Sequence, residues 1–305
     1  MWFLVRIAKA GGLLLALLLL VACALQVQNS ADPDLPAKQN GAHRVATHNV
    51  HYIWYNRADG PWSRGDWEAR APSMDAAFKA LDADIVAFQE MESFAGGNSD
   101  DVNLARSYLL ERNPDYAAAA VGDWRDFPST QPIFYRTERY ELVEQGWFFF
   151  SDTPDVIYSR TFDGSYPAFA SWARFRSRDG GPVFAVMNVH YEYSSGSNRM
   201  LSAELTARRI DPFLERGEPV ILTGDLNARL GSPTTETLEA AGLRFLDVPG
   251  STYHFDLGIN LFGAIDHIAI SPGMNAVSGP VTLQRKFAGD WPSDHYPVVA
   301  DLTFP

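Results

Sequence analysis

From residue 43 onward, short apolar or β-branched runs alternate with longer amphipathic segments. The runs predict strands near 44–50, 84–89, 132–136, 146–150, 169–176, 183–190, 219–224, 265–271, 279–284 and 297–303. Helical spacing predicts helices near 66–82, 101–112, 199–215 and 234–241. No repeat of 20 to 50 residues breaks the alternation. A chain of 305 residues, 46% hydrophobic and 20% charged, is long enough to bury one large core or two ordinary ones.

The first residues obey a different pattern. "MWFLVRIAKAGGLLLALLLLVAC" sets Arg6 and Lys9 ahead of an uncharged stretch, which reads as a secretory signal over residues 1–22. Counted from Ala10, about thirteen helical residues reach about 20 Å, short of the roughly 30 Å of a hydrocarbon core, so a permanent span is not expected. "LVAC" resembles the lipobox of bacterial lipoproteins, which makes Cys23, the single cysteine, a lipidation site and the cell envelope the expected location. No internal disulfide can form. Residues 23–42, polar with scattered prolines, read as a flexible tether to a domain over 43–305. The net charge of −12 becomes −14 once Arg6 and Lys9 leave with the signal, which argues against loose electrostatic attachment to nucleic acid.

Polar residues gather where strands end or begin. Asn49 closes "RVATHN", Glu90 closes "DIVAFQE", Asn188 and His190 close "VFAVMNVH", and Asp225 and Asn227 close "PVILTGDLN". Asp266 opens "DHIAI", while Asp294 and His295 open "SDHYPVV". In a mixed or antiparallel sheet the end of one strand lies beside the start of its neighbour, so these six clusters can share one edge. Converging carboxylates repel one another unless a cation compensates them. Oxygen ligands without a thiolate suit Mg²⁺ or Mn²⁺.

The ordered pieces "ATHNV", "DIVAFQE", "IFYRTERYEL", "FASWARF", "NVHYEY", "GDLNA", "AIDHIAI" and "PSDHYPV" resemble the endonuclease/exonuclease/phosphatase (DNase I-like) superfamily of metal-dependent phosphoesterases. The resemblance implies an α/β fold, a four-layer sandwich of two packed mixed β-sheets flanked by helices. It implies Glu90 as the main metal ligand, assisted by Asn49 and Asp294. Asp225 and Asn227 would orient the attacking water or hold a second metal, Asn188 and His190 would hold phosphoryl oxygens, and His295, oriented by Asp266, would take the water's proton. The chain departs from the family at "NVHYE", where Asn188 and His190 remain but Val189, Tyr191 and Glu192 change the surroundings.

Tyr135 and Arg136 read either as contacts to substrate phosphate, since a guanidinium fork suits that geometry, or as a core tyrosine next to a surface arginine. The segment 56–67, with Arg57, Arg64 and two tryptophans, is the candidate for substrate selection, with a packed aromatic surface as the alternative. His267 is read as structural, His48 and His51 as lying opposite Asn49, and His254 as loop or substrate contact. The expected product is a membrane-tethered monomer that hydrolyses a small-molecule, lipid-headgroup or nucleic-acid phosphoester. A serine hydrolase is disfavoured because no Gly-x-Ser-x-Gly occurs. A non-catalytic binding module would be expected to lack one of these polar groups.

Overall fold

The computed structural model describes residues 2–95, 102–164 and 166–305. Two six-stranded sheets pack face to face. The first orders β13 (Asn275–Thr282), β14 (Val298–Thr303), β1 (His43–Asn49), β3 (Ile85–Gln89), β6 (Ile133–Arg136) and β5 (Tyr116–Ala119). The second orders β11 (Arg244–Phe245), β12 (Asp266–Ile270), β10 (Val220–Asp225), β9 (Val183–His190), β8 (Phe169–Ser177) and β7 (Tyr140–Phe149). Beside them, β2 (Ile53–Trp54) pairs with β4 (Ser93–Phe94).

Side-chain alternation makes this a sandwich. On β1, Val45 faces the inter-sheet core with Ile85, Val186, Ile221 and Ile268, while its neighbour Ala46 faces outward. The outward face of the first sheet is covered by α2 (Arg64–Leu81) and α3 (Leu104–Arg112), through Met74, Phe78 and Leu109. The second sheet is covered by α4 (Gly196–Glu215) and α5 (Pro233–Ala240), through Leu205, Ile210 and Leu238. The four-layer architecture expected from the resemblance is therefore present.

The helices start where local chemistry allows. Ser63 accepts the Asp66 amide at the head of α2, Asn103 the Arg106 amide at α3, and Ser195 the Asn198 amide at α4. The helix expected from residue 101 begins at Leu104, and Asp101 itself lies outside the described residues.

The N-terminal helix, α1 (Trp2–Gln28), is longer than the sequence reading allowed. Its segment Gly11–Gln28 has a mean hydropathy of 2.2 with no residue buried, long and apolar enough to cross a membrane by length and composition. The count of thirteen stopped too early because uncharged residues continue past Cys23. Residues 29–42, read as a tether, lie along the domain: Asn29 Nδ2 donates to Asn260 O, Arg285 pairs with Asp32, and Lys38 Nζ meets Asp84 Oδ1 at 2.8 Å. None of these contacts has a periodic signature, so composition alone could not show them.

Candidate active site

Strand direction brings the polar clusters to one rim. β1 and β3 run parallel with Asn49 beside Gln89, so Glu90 follows directly; β14 runs antiparallel to β1, which sets the preceding Asp294 and His295 at the same end. In the second sheet Asp225 aligns with His190 on parallel β9 and with Asp266 on antiparallel β12. Glu90 and Asn227 have positive φ, 54° and 46°, so the chain bends sharply as it leaves each strand.

The side chains form one connected network. Asn49 Nδ2 donates to Glu90 Oε1 at 3.0 Å and to Asp225 Oδ2 at 3.1 Å. His190 Nε2 stands 3.7 Å from both of those carboxylates. His295 Nδ1 meets Asp266 Oδ2 at 2.9 Å, leaving its Nε2 3.8 Å from Asp225 Oδ2. The Asn227 amide donates to Asp225 Oδ1 at 2.8 Å and its side chain to Tyr191 O at 2.9 Å, which fixes the Asp225 carboxylate. Ser293 Oγ donates to Asn49 O at 2.8 Å and lies 3.3 Å from Asp294 Oδ1, linking Asp294 to the same rim.

Burial and mutual charge set the protonation states. Burial, together with the Asp266 charge, pushes the Asp225 carboxyl up to about 6. Burial opposes an imidazolium at His295, but Asp266 and then Asp225 and Asp294 outweigh it and hold the ring well above its usual pKa. Burial likewise works against Asp266, and His295 reverses the effect, keeping that carboxylate low. At Glu90 burial is outweighed by His190, His51 and the Asn49 amide, so the group stays ionised below its ordinary range.

An excess of acid at a buried rim fits a divalent cation. Asp225 and Asp266 are buried, Glu90 is partly exposed, and Asp266 Oδ1 has no hydrogen-bond partner. The Glu90 and Asp225 carboxylates converge on Asn49, whose Nδ2 reaches both while its Oδ1 accepts the His51 amide, and no thiolate stands among them. Asp225, Asp266 and His295 also lie close enough together to hold an ion, but the short Asp266–His295 contact reads more simply as an oriented base.

Three expected contacts are not made. Asn188 is fully buried between the sheets: its Oδ1 accepts Gln89 Nε2 at 2.7 Å, and its Nδ2 donates to Phe88 O at 2.8 Å and Gln131 O at 3.2 Å. Its amide is spent on pinning the sheets, out of reach of a phosphoryl group. Tyr135 and Arg136 sit at the far end of the first sheet, because β6 runs antiparallel to β3 and pairs Tyr135 with Ile85, at the opposite end from Gln89. There Tyr135 stacks near Phe175 and Arg136 pairs with Asp82.

Other residues at the rim carried no sequence motif. Tyr253 bridges to His295, with ring centroids 5.0 Å apart. The buried Arg70 donates to Val50 O, His51 O and Pro292 O, tying together the loops that flank Asn49 and Ser293. A buried arginine in mid-helix was the one available signal. In the segment read for substrate selection, Trp62 stacks on His51 with centroids 3.5 Å apart; ahead of that segment, the Tyr52 amide points at Glu90 Oε2. A cleft of about 560 Å³ opens beside Asn227, lined by Arg199, Met200, Arg229 and Phe262 among others.

The sequence model described as the Endonuclease/Exonuclease/phosphatase family matches residues 46–295. The chain belongs to that family. No curated protein matches it. Among solved structures, a family protein from Bacteroides thetaiotaomicron is 28% identical, with 88% of this chain and 99% of that chain covered at a TM-score of 0.70. A mannosyl-6-phosphatase from Bacteroides thetaiotaomicron is 27% identical, covering 86% and 100% of the two chains at 0.70. The human Nocturnin catalytic domain, 17% identical over 88% and 97% at 0.62, shares the fold.

Proposed function

We propose that this member of the phosphoesterase and nuclease family is a metal-dependent phosphoester hydrolase held at a membrane by its N-terminal segment. The observation that carries the reading is the Asp266–His295–Asp225 arrangement, joined through Asn49 to Glu90. Bound by Glu90, Asn49 and Asp294, Mg²⁺ or Mn²⁺ would neutralise phosphate charge and polarise the phosphoryl group. The chain's own residues do the rest. Asp266 fixes the His295 ring through Nδ1, so Nε2 faces the space beside Asp225; a divalent cation at the rim would offset the carboxylate charge that holds the ring protonated, leaving Nε2 free to take the proton of an attacking water. Asp225, held by Asn227, orients that water. His190, whose side chain is 28% exposed, is the group placed to donate to a phosphoryl oxygen.

The described activity of the mannosyl-6-phosphatase relative makes a phosphorylated sugar one substrate class to test, beside phosphodiesters and lipid headgroups. The decisive assay compares p-nitrophenyl phosphate, bis-p-nitrophenyl phosphate, mannose 6-phosphate, plasmid DNA and sphingomyelin, with EDTA and then with Mg²⁺ or Mn²⁺ restored. Turnover that EDTA leaves intact refutes the metal assignment, and a fully active His295→Ala protein refutes the base. For the anchor, acylation of Cys23 is tested by palmitate labelling. Label retained by Cys23→Ser, or absent from the natural chain, removes the lipoprotein reading while the apolar helix remains as the alternative tether.

A further inference from the structure

The loop between β11 and β12 carries Phe255, Leu257, Ile259 and Phe262 with 38%, 69%, 36% and 49% of their surfaces exposed. Four large apolar side chains within residues 255–262 are more than the scattered exposure of an ordinary surface. Phe255 and Asp256 both have positive φ, 58° and 57°, a conformation that non-glycine residues adopt only when held there.

Two features say what this patch meets. The first is its neighbour: Gln26, in the last turn of α1, donates to Gly258 O at 3.2 Å and accepts the Asn260 amide at 2.7 Å, and Asn260 Nδ2 reaches Ser30 Oγ at 3.0 Å. The apolar surface of the loop thus adjoins the base of the apolar N-terminal helix. An acylated Cys23 and an intact apolar helix both bring hydrocarbon to this same corner, because Cys23 stands within one turn of Gln26. The second feature is the coupling of the loop to the active site. His254 is buried, stacks on Tyr296 at 4.0 Å, gives its amide to Asp294 O, and accepts the Leu257 and Ile259 amides on its carbonyl. Tyr253, Phe255 and Phe262 form a run of rings from His295 to the surface, with successive centroids 5.0, 4.5 and 5.8 Å apart.

We infer that residues 255–262 form a membrane-docking surface that seats the active-site rim against the bilayer beside the N-terminal anchor. The inference rests on the membrane-tethered reading above and adds to it a second contact, which fixes orientation as well as proximity. A net charge of −12 makes the apolar side chains, not electrostatic attraction to anionic lipid, the source of binding. A domain seated this way presents its catalytic groups to phosphoesters at the lipid surface.

The test uses the full chain carrying Cys23→Ser, so that one added cysteine can be labelled and the apolar helix serves as anchor. Leu257→Cys and, as a control, Val143→Cys on edge strand β7 receive a polarity-sensitive fluorophore; Val143 is 38% exposed at the opposite side of the second sheet. Each protein is reconstituted into phosphatidylcholine vesicles, with and without nitroxide-bearing lipid. The expected result is a blue-shifted label at 257 that the nitroxide quenches several-fold more than the label at 143, with little change when phosphatidylglycerol is added. Equal quenching at the two positions in protein that floats with the vesicles overturns the docking surface and leaves the anchor standing. Protein that does not float with the vesicles at all overturns the docking surface and the apolar helix as anchor together.

Discussion

Replacing Asn188 separates a structural pin from a substrate ligand. Asn188→Ala removes three hydrogen bonds between the sheets, to Gln89, Phe88 and Gln131. Not all partners are stranded: Gln131 O still accepts Ser171 Oγ at 2.6 Å, and Gln89 Nε2 still reaches Thr47 Oγ1 at 3.0 Å. With one or two buried groups left short of a partner at about 1–3 kcal/mol each, and a small cavity added, the loss is about 2–4 kcal/mol. Asn188→Asp should be worse, since it sets a carboxylate against two carbonyl oxygens. Urea unfolding measures the stability change, and kcat and KM for whichever p-nitrophenyl ester proves active are read well below the transition. A pin predicts a lower urea midpoint with KM unchanged. An unchanged midpoint accompanied by a KM raised about tenfold, equivalent to 1.4 kcal/mol of lost substrate binding, would falsify the structural assignment.

Three further perturbations test the frame around the site. His48 is buried with its pKa lowered to about 4, mainly by burial, so the folded state binds its proton less tightly than the unfolded chain at 6.5; its stabilising contribution is whole above pH 6.5, declines toward pH 4, and should make the natural protein lose about 2 kcal/mol more than His48→Gln between pH 8 and pH 5 in urea titrations. Arg44 and Asp301 form a buried two-point pair, Nε–Oδ1 2.6 Å and Nη2–Oδ2 2.9 Å, and Asp301→Ala should cost about 3–5 kcal/mol by stranding the guanidinium, whereas the joint Arg44→Met, Asp301→Leu protein should recover part of that loss in the same unfolding assay. Gly224 has φ of 142° and a Cβ there would overlap the Val189 carbonyl, so Gly224→Ala should push β10 away from β9 and lower both the melting temperature and the activity that depends on Asp225; an unchanged melting temperature refutes that packing.

Much of this site was legible because two periodicities could be read together. Apolar alternation located β1, β3, β9, β10, β12 and β14, and each strand's last or first polar residue marked the rim. Strand direction was the missing variable for Tyr135 and Arg136: "IFYR" looks the same whichever way it runs, and its antiparallel pairing with β3 carries those side chains to the other end. The short strand Tyr116–Ala119, three of its four residues alanine, offered no alternation to detect and is held by pairing with β6. Likewise, β13 was expected only from 279, because the bulges between Ala276 and Val281 interrupt its period. The contacts of residues 29–42 depend on single side chains meeting the folded domain, information that no local pattern contains.

Depth along a strand explains why Asn188 lies in the packed interface while His190 reaches the rim. Phe184 and Val186 face the inter-sheet core, so period two sends Asn188 and His190 to the same side. Two residues along a strand amount to about 6.6 Å, enough to move a side chain from the packed interface to its rim. Asn188 therefore lies opposite Gln89 and bonds across the core, whereas His190 lies beside Asp225 and opens toward solvent. On β3 a single residue makes the change, from Gln89, which is buried and pairs with Asn188, to Glu90, which turns out at positive φ to meet Asn49. In a two-sheet sandwich a polar residue is available for chemistry only once its strand has passed the last inter-sheet layer. That layer is set by where the opposing sheet ends, a quantity absent from any one strand's sequence.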